Sequence, residues 1–260
     1  VSEVGVSAVP HPSSVCQVLK EDPELAEAIP PERRQRAIEE CLAPELRIQP
    51  GRLSRTGTLG FRGGLGVLVL NGLMIRRVGL GGRYGAELIG EGDLLRPSEE
   101  TVSPLLPLTV DWSIVLPTRV AALDSGFEQR LVEYPELARS LIGRAIQRSK
   151  NLAVNMAIVH QARVDVRLHM LLWHLAARWG RVRSDGTVLR LRLTHTVLAD
   201  LVAARRPTVT TALSELTRRG LVRTDGEIWV LPGEAPSDLL AFAHGTVGDL
   251  SEPPAGPELS

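Results

Sequence analysis

The chain has 260 residues, and what it lacks limits it first. It has two cysteines, Cys16 and Cys41. They form no CxxC pair and cannot supply the four thiolates of an iron–sulfur cluster or a closed zinc site, so two reduced thiols and no metal are expected. No apolar run approaches the ~18–20 residues of a membrane helix, and no signal peptide is visible. A soluble, cytoplasmic protein with no membrane contact is expected. Catalytic motifs are missing too. The Gly-rich stretch GTLGFRGGLG, Gly57–Gly66, invites a phosphate-loop reading but lacks GK[ST]. His169 and His174 are five residues apart and do not share a helical face as paired zinc ligands would. No Ser-His-Asp order or carboxylate pair has a supporting motif, so the chain is not expected to be an enzyme.

Lysine is nearly absent: Lys20 and Lys150 stand against 28 arginines. Basic and acidic side chains balance at 30 each, but their distribution is uneven. Residues 1–130 carry net −3, residues 131–230 net +8 and residues 231–260 net −5. A basic segment between acidic ones suggests one surface that meets an anion. Arginine suits bidentate contact with phosphate or guanine better than lysine does.

The pattern along the chain divides it into a flexible tail (1–14), a helical lead-in with a β-barrel (15–132), a long helix (133–163), a second domain (164–232) and an acidic flexible tail (233–260). Asp22-Pro23-Glu24 is a helix start, and a second helical pattern runs from Pro31 through Cys41-Leu42. Short apolar runs then predict strands at Gly66–Leu70, Met74–Val78, Tyr84–Ile89, Thr109–Val115 and Thr118–Leu123. Asn71-Gly72 between the first two predicts a two-residue hairpin. Strands at this spacing imply a small barrel or sandwich.

From Tyr134 the period becomes helical. Ile142, Ala145, Ser149, Leu152, Met156 and Val159 follow a 4-3-4-3-4 spacing, a narrow seam of the kind that joins two copies of a helix, and a homodimer is expected. The alternative is that the seam packs on the chain's own sheet. A more broadly apolar helix follows over Val166–Trp179. Asp185-Gly186 and Asp225-Gly226 each predict a hairpin, and Leu189, Leu191 and Leu193 alternate with Arg190 and Arg192. Between the hairpins Thr194 suits an N-cap, Leu198, Leu201 and Val202 face inward, Ala203-Ala204 permits a tight turn, and a second helix opens at Arg206-Pro207. Strand, strand, helix, helix, strand, strand is the order of a winged helix-turn-helix. Val209, Ala212, Leu213 and Leu216 fill the core side of the second helix. Arg205, Arg206, Thr208, Thr210, Thr211 and Ser214 are left at its tip and outer face. A helix N-terminus favours phosphate, arginine can read guanine, and threonine can bond to bases or pack on the thymine methyl. Double-stranded DNA is therefore the expected partner. The competing reading is a small-molecule sensor that acts through a protein partner, and the +8 segment speaks against it.

The run LTHxxLAxLVxARRPTVTxALxxLxxxGLV, from Leu193 to Val222, closely resembles the Crp/Fnr superfamily of bacterial transcription regulators, and GAELIGEGDLLRP resembles the family's sheet-to-turn segment. The likeness runs from about Leu46 to Leu231. It implies an α+β chain: an N-terminal cupin-like β-barrel of cyclic-nucleotide-binding-domain type, a long dimerisation helix and a C-terminal winged helix-turn-helix. It also implies a homodimer on a near-palindromic operator, with RNA polymerase a further candidate partner. Arg206 matches a base-reading arginine. Pro207 stands where well-known members have a cytosine-reading glutamate, and Thr211 where they have a second guanine-reading arginine, so the familiar half-site is not implied. Thr194 and His195 match phosphate-side positions, and the wing turn with Arg223 and Thr224 lies near the DNA backbone in the family. Glu87, Leu88 and Arg96 are the candidate effector-pocket residues. The segment SEETVSPLLPLTV lacks the Arg-Ser pair of cAMP-binding members, and Leu152-Ala153 replaces the Thr-Ser pair that reaches the adenine. No cofactor is evident, an unknown small-molecule effector remains open, and weak or absent cAMP binding is expected.

Overall fold

The computed structural model describes residues 14–53, 64–81, 83–96, 106, 108–226 and 228–235. Both expected tails, apart from Ser14 and residues 233–235, lie outside these residues. So does most of the Gly-rich stretch and most of the segment that lacks Arg-Ser.

The chain forms two compact units: residues up to 159 together with 194–205, and residues 160–193 together with those from 206 on. The elements run β1 (Ser14–Gln17), α1 (Val18–Glu21), α2 (Pro23–Glu27), α3 (Pro31–Glu40), β2 (Leu42–Ile48), β3 (Gly51–Leu53), β4 (Gly66–Leu80), β5 (Arg83–Gly90), β6 (Leu94–Leu95), β7 (Thr109–Leu123), α4 (Ser125–Arg130) and α5 (Pro135–Val159). There follow α6 (Val164–Trp179), β8 (Gly180–Arg183), β9 (Gly186–Leu189), α7 (His195–Leu201), α8 (Arg206–Arg218), β10 (Arg223–Asp225) and β11 (Ile228–Leu231).

The first unit is built on an antiparallel, barrel-like sheet of order β1-β2-β7-β4-β5, with β3 added to β7 and β6 to β4. Alternation along the strands separates two apolar clusters. Val67, Val69, Met74, Ile89, Trp112, Ile114 and Val120 fill one side. Leu68, Leu70, Ala121 and Leu123 face the other, against Leu19, Leu25, Phe127, Leu137 and Leu141 of the helices. The helix starts follow their caps: Asp22 accepts from Leu25 N and Asp124 from Phe127 N.

The expected Asn71-Gly72 hairpin is not formed. Both residues lie inside β4, which pairs continuously with β7 and shifts register between Val69 and Asn71 and between Asn71 and Leu73. Gly72 has φ 105°, and a Cβ there would lie 2.5 Å from Thr118 Cα. The glycine makes a bulge that bends a long strand instead of reversing it, because β7 covers it along its length. The two strands expected over Thr109–Leu123 likewise form the single strand β7. The first strand of the sheet begins at Ser14, within the expected tail, and β2 begins ahead of Leu46.

In the second unit α6 packs on α8 and on the hairpin β8–β9. Leu168, Leu171, Leu172 and Leu175 are buried on α6, and Val209, Ala212, Leu213 and Leu216 on α8, as their spacing requires. The second sheet has the order β10-β11-β9-β8. Hairpins form at both places, each one residue away from the expected Asp-Gly turn: Arg183 pairs with Gly186 and Asp225 with Ile228, so Gly186 and Asp225 lie in strands. β9 ends at Leu189, so the alternation through Leu193 is not strand. Instead Trp229 Nε1 donates to Leu191 O at 3.2 Å. Arg163 and Arg219 meet the buried Asp165 at 2.6 and 3.7 Å, which ties the start of α6 to the end of α8.

Candidate nucleic-acid interface

α7 opens on Thr194, whose Oγ1 accepts from Val197 N at 3.2 Å. The expected cap is present, so the Thr194 oxygen is engaged with the helix's own backbone. Val197, Leu198, Ala199 and Leu201 of α7 are buried, His195 is half-buried, and Thr194 is exposed. The turn after α7 passes through Ala203 at φ 50°. This is the left-handed region that glycine occupies most easily, and an alanine there costs roughly 1 kcal/mol.

Arg206, Pro207, Thr208, Thr210, Thr211 and Ser214 are all exposed on α8, and so is Arg205 just before it. Proline at the second helical position removes one first-turn N–H that has no partner within the helix, so no helix hydrogen bond is lost. Thr210, Thr211 and Ser214 donate their hydroxyl protons to the carbonyls of Arg206, Pro207 and Thr210 at 3.1, 3.2 and 3.0 Å. In this state the hydroxyl oxygens offer lone pairs outward and the threonines offer methyl groups. The arrangement suits base-edge donors and thymine methyls more than guanine. Arg205 and Arg206, whose guanidinium donors match the acceptors of guanine, have no ion-pair partner among the described residues.

Other cations of this half are committed. Arg218 pairs with Glu215 at 2.7 Å and Arg219 with Asp165. Arg223 reaches Asp185 Oδ2 at 3.7 Å and donates to Asp185 O at 3.3 Å, so the wing arginine is bonded to the neighbouring hairpin. Thr224 is exposed. The spacing argument missed Arg181 and Arg183, both exposed on β8. The alternation Arg-Val-Arg was the available signal. For His169 and His174, burial disfavours the charged imidazole. Burial pushes His174 down to about 4 and lowers His169, whose Nε2 accepts from Trp173 Nε1 at 3.0 Å.

The three candidate effector residues differ in their surroundings. Glu87 is buried and held bidentately by Arg148 of α5 at 2.7 and 2.8 Å, with Arg76 at 3.7 Å. Leu88 is buried, and Arg96 is exposed. A separate apolar cavity of about 380 Å³ lies along α5, lined by Leu65, Leu94, Leu141, Ile142, Ala145 and Ile146 among others. Of the seam residues, Ile142, Ala145, Ser149 and Met156 are exposed, and Leu152 and Val159 are half-buried. The residues that α5 buries are Leu137, Leu141, Asn151 and Ile158. Within the chain, therefore, the seam does not supply the packing of α5. Cys16 and Cys41 are buried, and desolvation raises each thiol to about 11.

The class follows from the arrangement: a barrel-like sheet, a long helix and a winged helix-turn-helix. A model of the Crp-like helix-turn-helix domain matches residues 166–235. The chain is 26% identical over 145 residues to the CRP-like cAMP-activated global transcriptional regulator of Mycobacterium tuberculosis, covering 55% of this chain and 60% of that protein. It thus spans about three fifths of the length of the curated relatives it matches. Among solved structures, it is similar to a CooA mutant from Carboxydothermus hydrogenoformans, with TM-score 0.57 and 16% identity over 91% of this chain and 97% of that one. It is also similar to a cyclic nucleotide-binding domain containing protein from Listeria monocytogenes, with TM-score 0.60 and 12% identity over 81% and 97%. At these identities the structures show the shared fold. Residues 166–235 are thus similar to the Crp-like helix-turn-helix domain, and the whole described chain shares its fold with these structures.

No helix among the described residues is long and apolar enough to cross a membrane. Nor do those residues contain a group of His, Cys, Asp and Glu that could hold a metal ion.

Proposed function

We propose that the protein is a sequence-specific DNA-binding transcription regulator that acts as a homodimer on a near-palindromic operator. The observation that carries this reading is the exposed face of α8: Arg206, Thr210, Thr211 and Ser214 at helical spacing, next to an exposed Arg205 with no ion-pair partner among the described residues. In a helix-turn-helix the N-terminal part of the second helix enters the major groove, and a dimer presents two such helices about 34 Å apart. Arg205, Arg206, Thr208 and Thr211 read bases in this proposal, while Thr194, His195, Arg223 and Thr224 lie on the phosphate side. The seam of α5 joins the two copies, supported by the exposure of Ile142 and Met156 at 60% and 63%.

The response to cAMP is proposed to be weak or absent. Leu152-Ala153 offers no hydroxyl to an adenine, and Glu87 is already engaged by Arg148. Another small molecule remains open as effector. Selection of random duplex DNA by the purified protein, followed by a salt titration on the enriched site, tests the reading. A palindromic site whose affinity falls steeply with salt is the expected result. Recovery of no sequence, with and without cell extract, would sink it.

A further inference from the structure

We propose that the ion pair between Arg77 and Asp200 is an autoinhibitory catch: it holds α7 on the β-sheet and lowers DNA affinity until it opens. The proposal rests on the DNA-binding reading above. Arg77 lies on β4 and Asp200 on α7, 123 positions later. Arg77 Nε and Nη2 approach Asp200 Oδ2 at 2.8 and 2.7 Å, and the side chains are only 18% and 29% exposed. α7 also packs on β5, and 194–205 is part of the same compact unit as the sheet.

Three features suit the pair to opening and closing. First, Arg77 is held in place independently of α7: Nη1 donates to Ser113 Oγ at 2.9 Å and stands 3.6 Å from Asp111 Oδ2. Departure of Asp200 therefore leaves the guanidinium with a carboxylate and a hydroxyl. The large cost of a buried, uncompensated charge is avoided. Second, α7 gains nothing locally from Asp200. A carboxylate in the last turn of a helix faces the negative end of its dipole. Arg77 supplies the compensation that the helix does not. Third, Asp200 is the one acidic residue between Thr194 and Ser214. A helix-turn-helix engages DNA with its first helix crossing the backbone and its second in the groove. The sheet and the DNA therefore both make demands on α7, and a state that favours one is disfavoured by the other.

Arg77→Gln gives the decisive sign. The variant removes a positive charge, so electrostatics alone predicts weaker DNA binding. A catch predicts tighter binding, by about three- to tenfold at fixed salt on the enriched duplex. Asp200→Asn should also bind tighter. The exchanged pair Arg77→Asp with Asp200→Arg should return affinity toward that of the unaltered protein, which guards against a misfolded single variant. Amide hydrogen exchange across 197–202, without DNA, should quicken in both single variants and slow again in the exchanged pair. If Arg77→Gln binds as tightly as the unaltered protein or more weakly, or if exchange in α7 does not change, the catch is overturned. If no variant binds any duplex, the DNA-binding reading fails and the autoinhibition fails with it. Equal affinity across all variants overturns the catch alone.

Discussion

In the barrel unit, arginines are turned toward protein. Arg119 bonds Glu45 and Glu21, Arg130 donates to the carbonyls of Glu40, Leu42 and Gly126, Arg144 meets Asp22 and Glu24, and Arg148 meets Glu87. At the start of α8, Arg205 and Arg206 stand exposed, without an ion-pair partner among the described residues. The same side chain thus has two roles, separated by what lies within reach. Where a strand or helix brings a carboxylate close, arginine ties elements together. At the exposed tip of α8 its donors remain available to an outside partner. An excess of positive charge in a sequence counts both kinds, and only the second kind can attract DNA.

The largest effect should come from disturbing the first kind. Arg119→Ala leaves Glu45, 3% exposed, without its principal partner, and should destabilise the protein by about 3 kcal/mol in urea unfolding. DNA affinity measured under folded conditions should be unchanged. An unaltered unfolding midpoint would break the comparison from the barrel side.

Arg206→Ala should act the other way, costing about 2 kcal/mol of affinity for the enriched site with no change in melting temperature. Its discrimination between enriched and scrambled duplex should shrink without vanishing, since Arg205, Thr208 and Thr211 still read bases. If discrimination persists undiminished, readout lies elsewhere.

Acid should separate the two units. His174 in the second unit has its folded pKa pushed to about 4 by burial, below the usual imidazole value of 6.5. The unfolded chain then binds the extra proton between those limits, so stability is lost as pH falls from about 6.5 toward 4, by roughly 2 kcal/mol. Glu45 in the first unit is held below its usual value of 4.5 by Arg119, so its contribution is present above about 4.5 and disappears only below it. His174→Phe should flatten the upper part of the pH profile and leave the lower part in place. Calorimetry at pH 7, 5.5 and 4 would show whether the upper part belongs to His174.

The smallest effect is expected at the turn between α7 and α8. Ala203→Gly relieves a left-handed alanine and should raise stability by about 0.5 kcal/mol, detectable as a small upward shift in melting temperature. A downward shift would mean that the turn is held by its neighbours and that chain entropy dominates.

Much of the winged helix-turn-helix was legible because its signals are local. Thr194 caps α7 three residues from its bond partner, the two hairpins form within one residue of their Asp-Gly signals, and the 3-1-3 spacing of Val209, Ala212, Leu213 and Leu216 marks the buried side of α8. The barrel was less legible. Asn71-Gly72 has the composition of a hairpin turn, yet β7 runs past it on a neighbouring strand and turns it into a bulge. Glu87 is a candidate binding residue because its segment in the sequence resembles a binding segment, and its partner in the fold is not visible there. Arg148, 61 positions away, takes up its carboxylate.

The sequence by itself determined the order of helices and hairpins from α6 to β11, the outward set on α8 and the spacing of the α5 seam. Each depends on residues within a few positions of one another, where backbone period and capping decide. Only the tertiary structure decided which charges remain available, because ion pairs such as Arg148–Glu87 and Arg77–Asp200 are set by strand register and helix docking across 61 and 123 positions. No period in the chain encodes those distances. They follow from burial, which makes an unpaired charge costly and so selects partners wherever the fold brings them together.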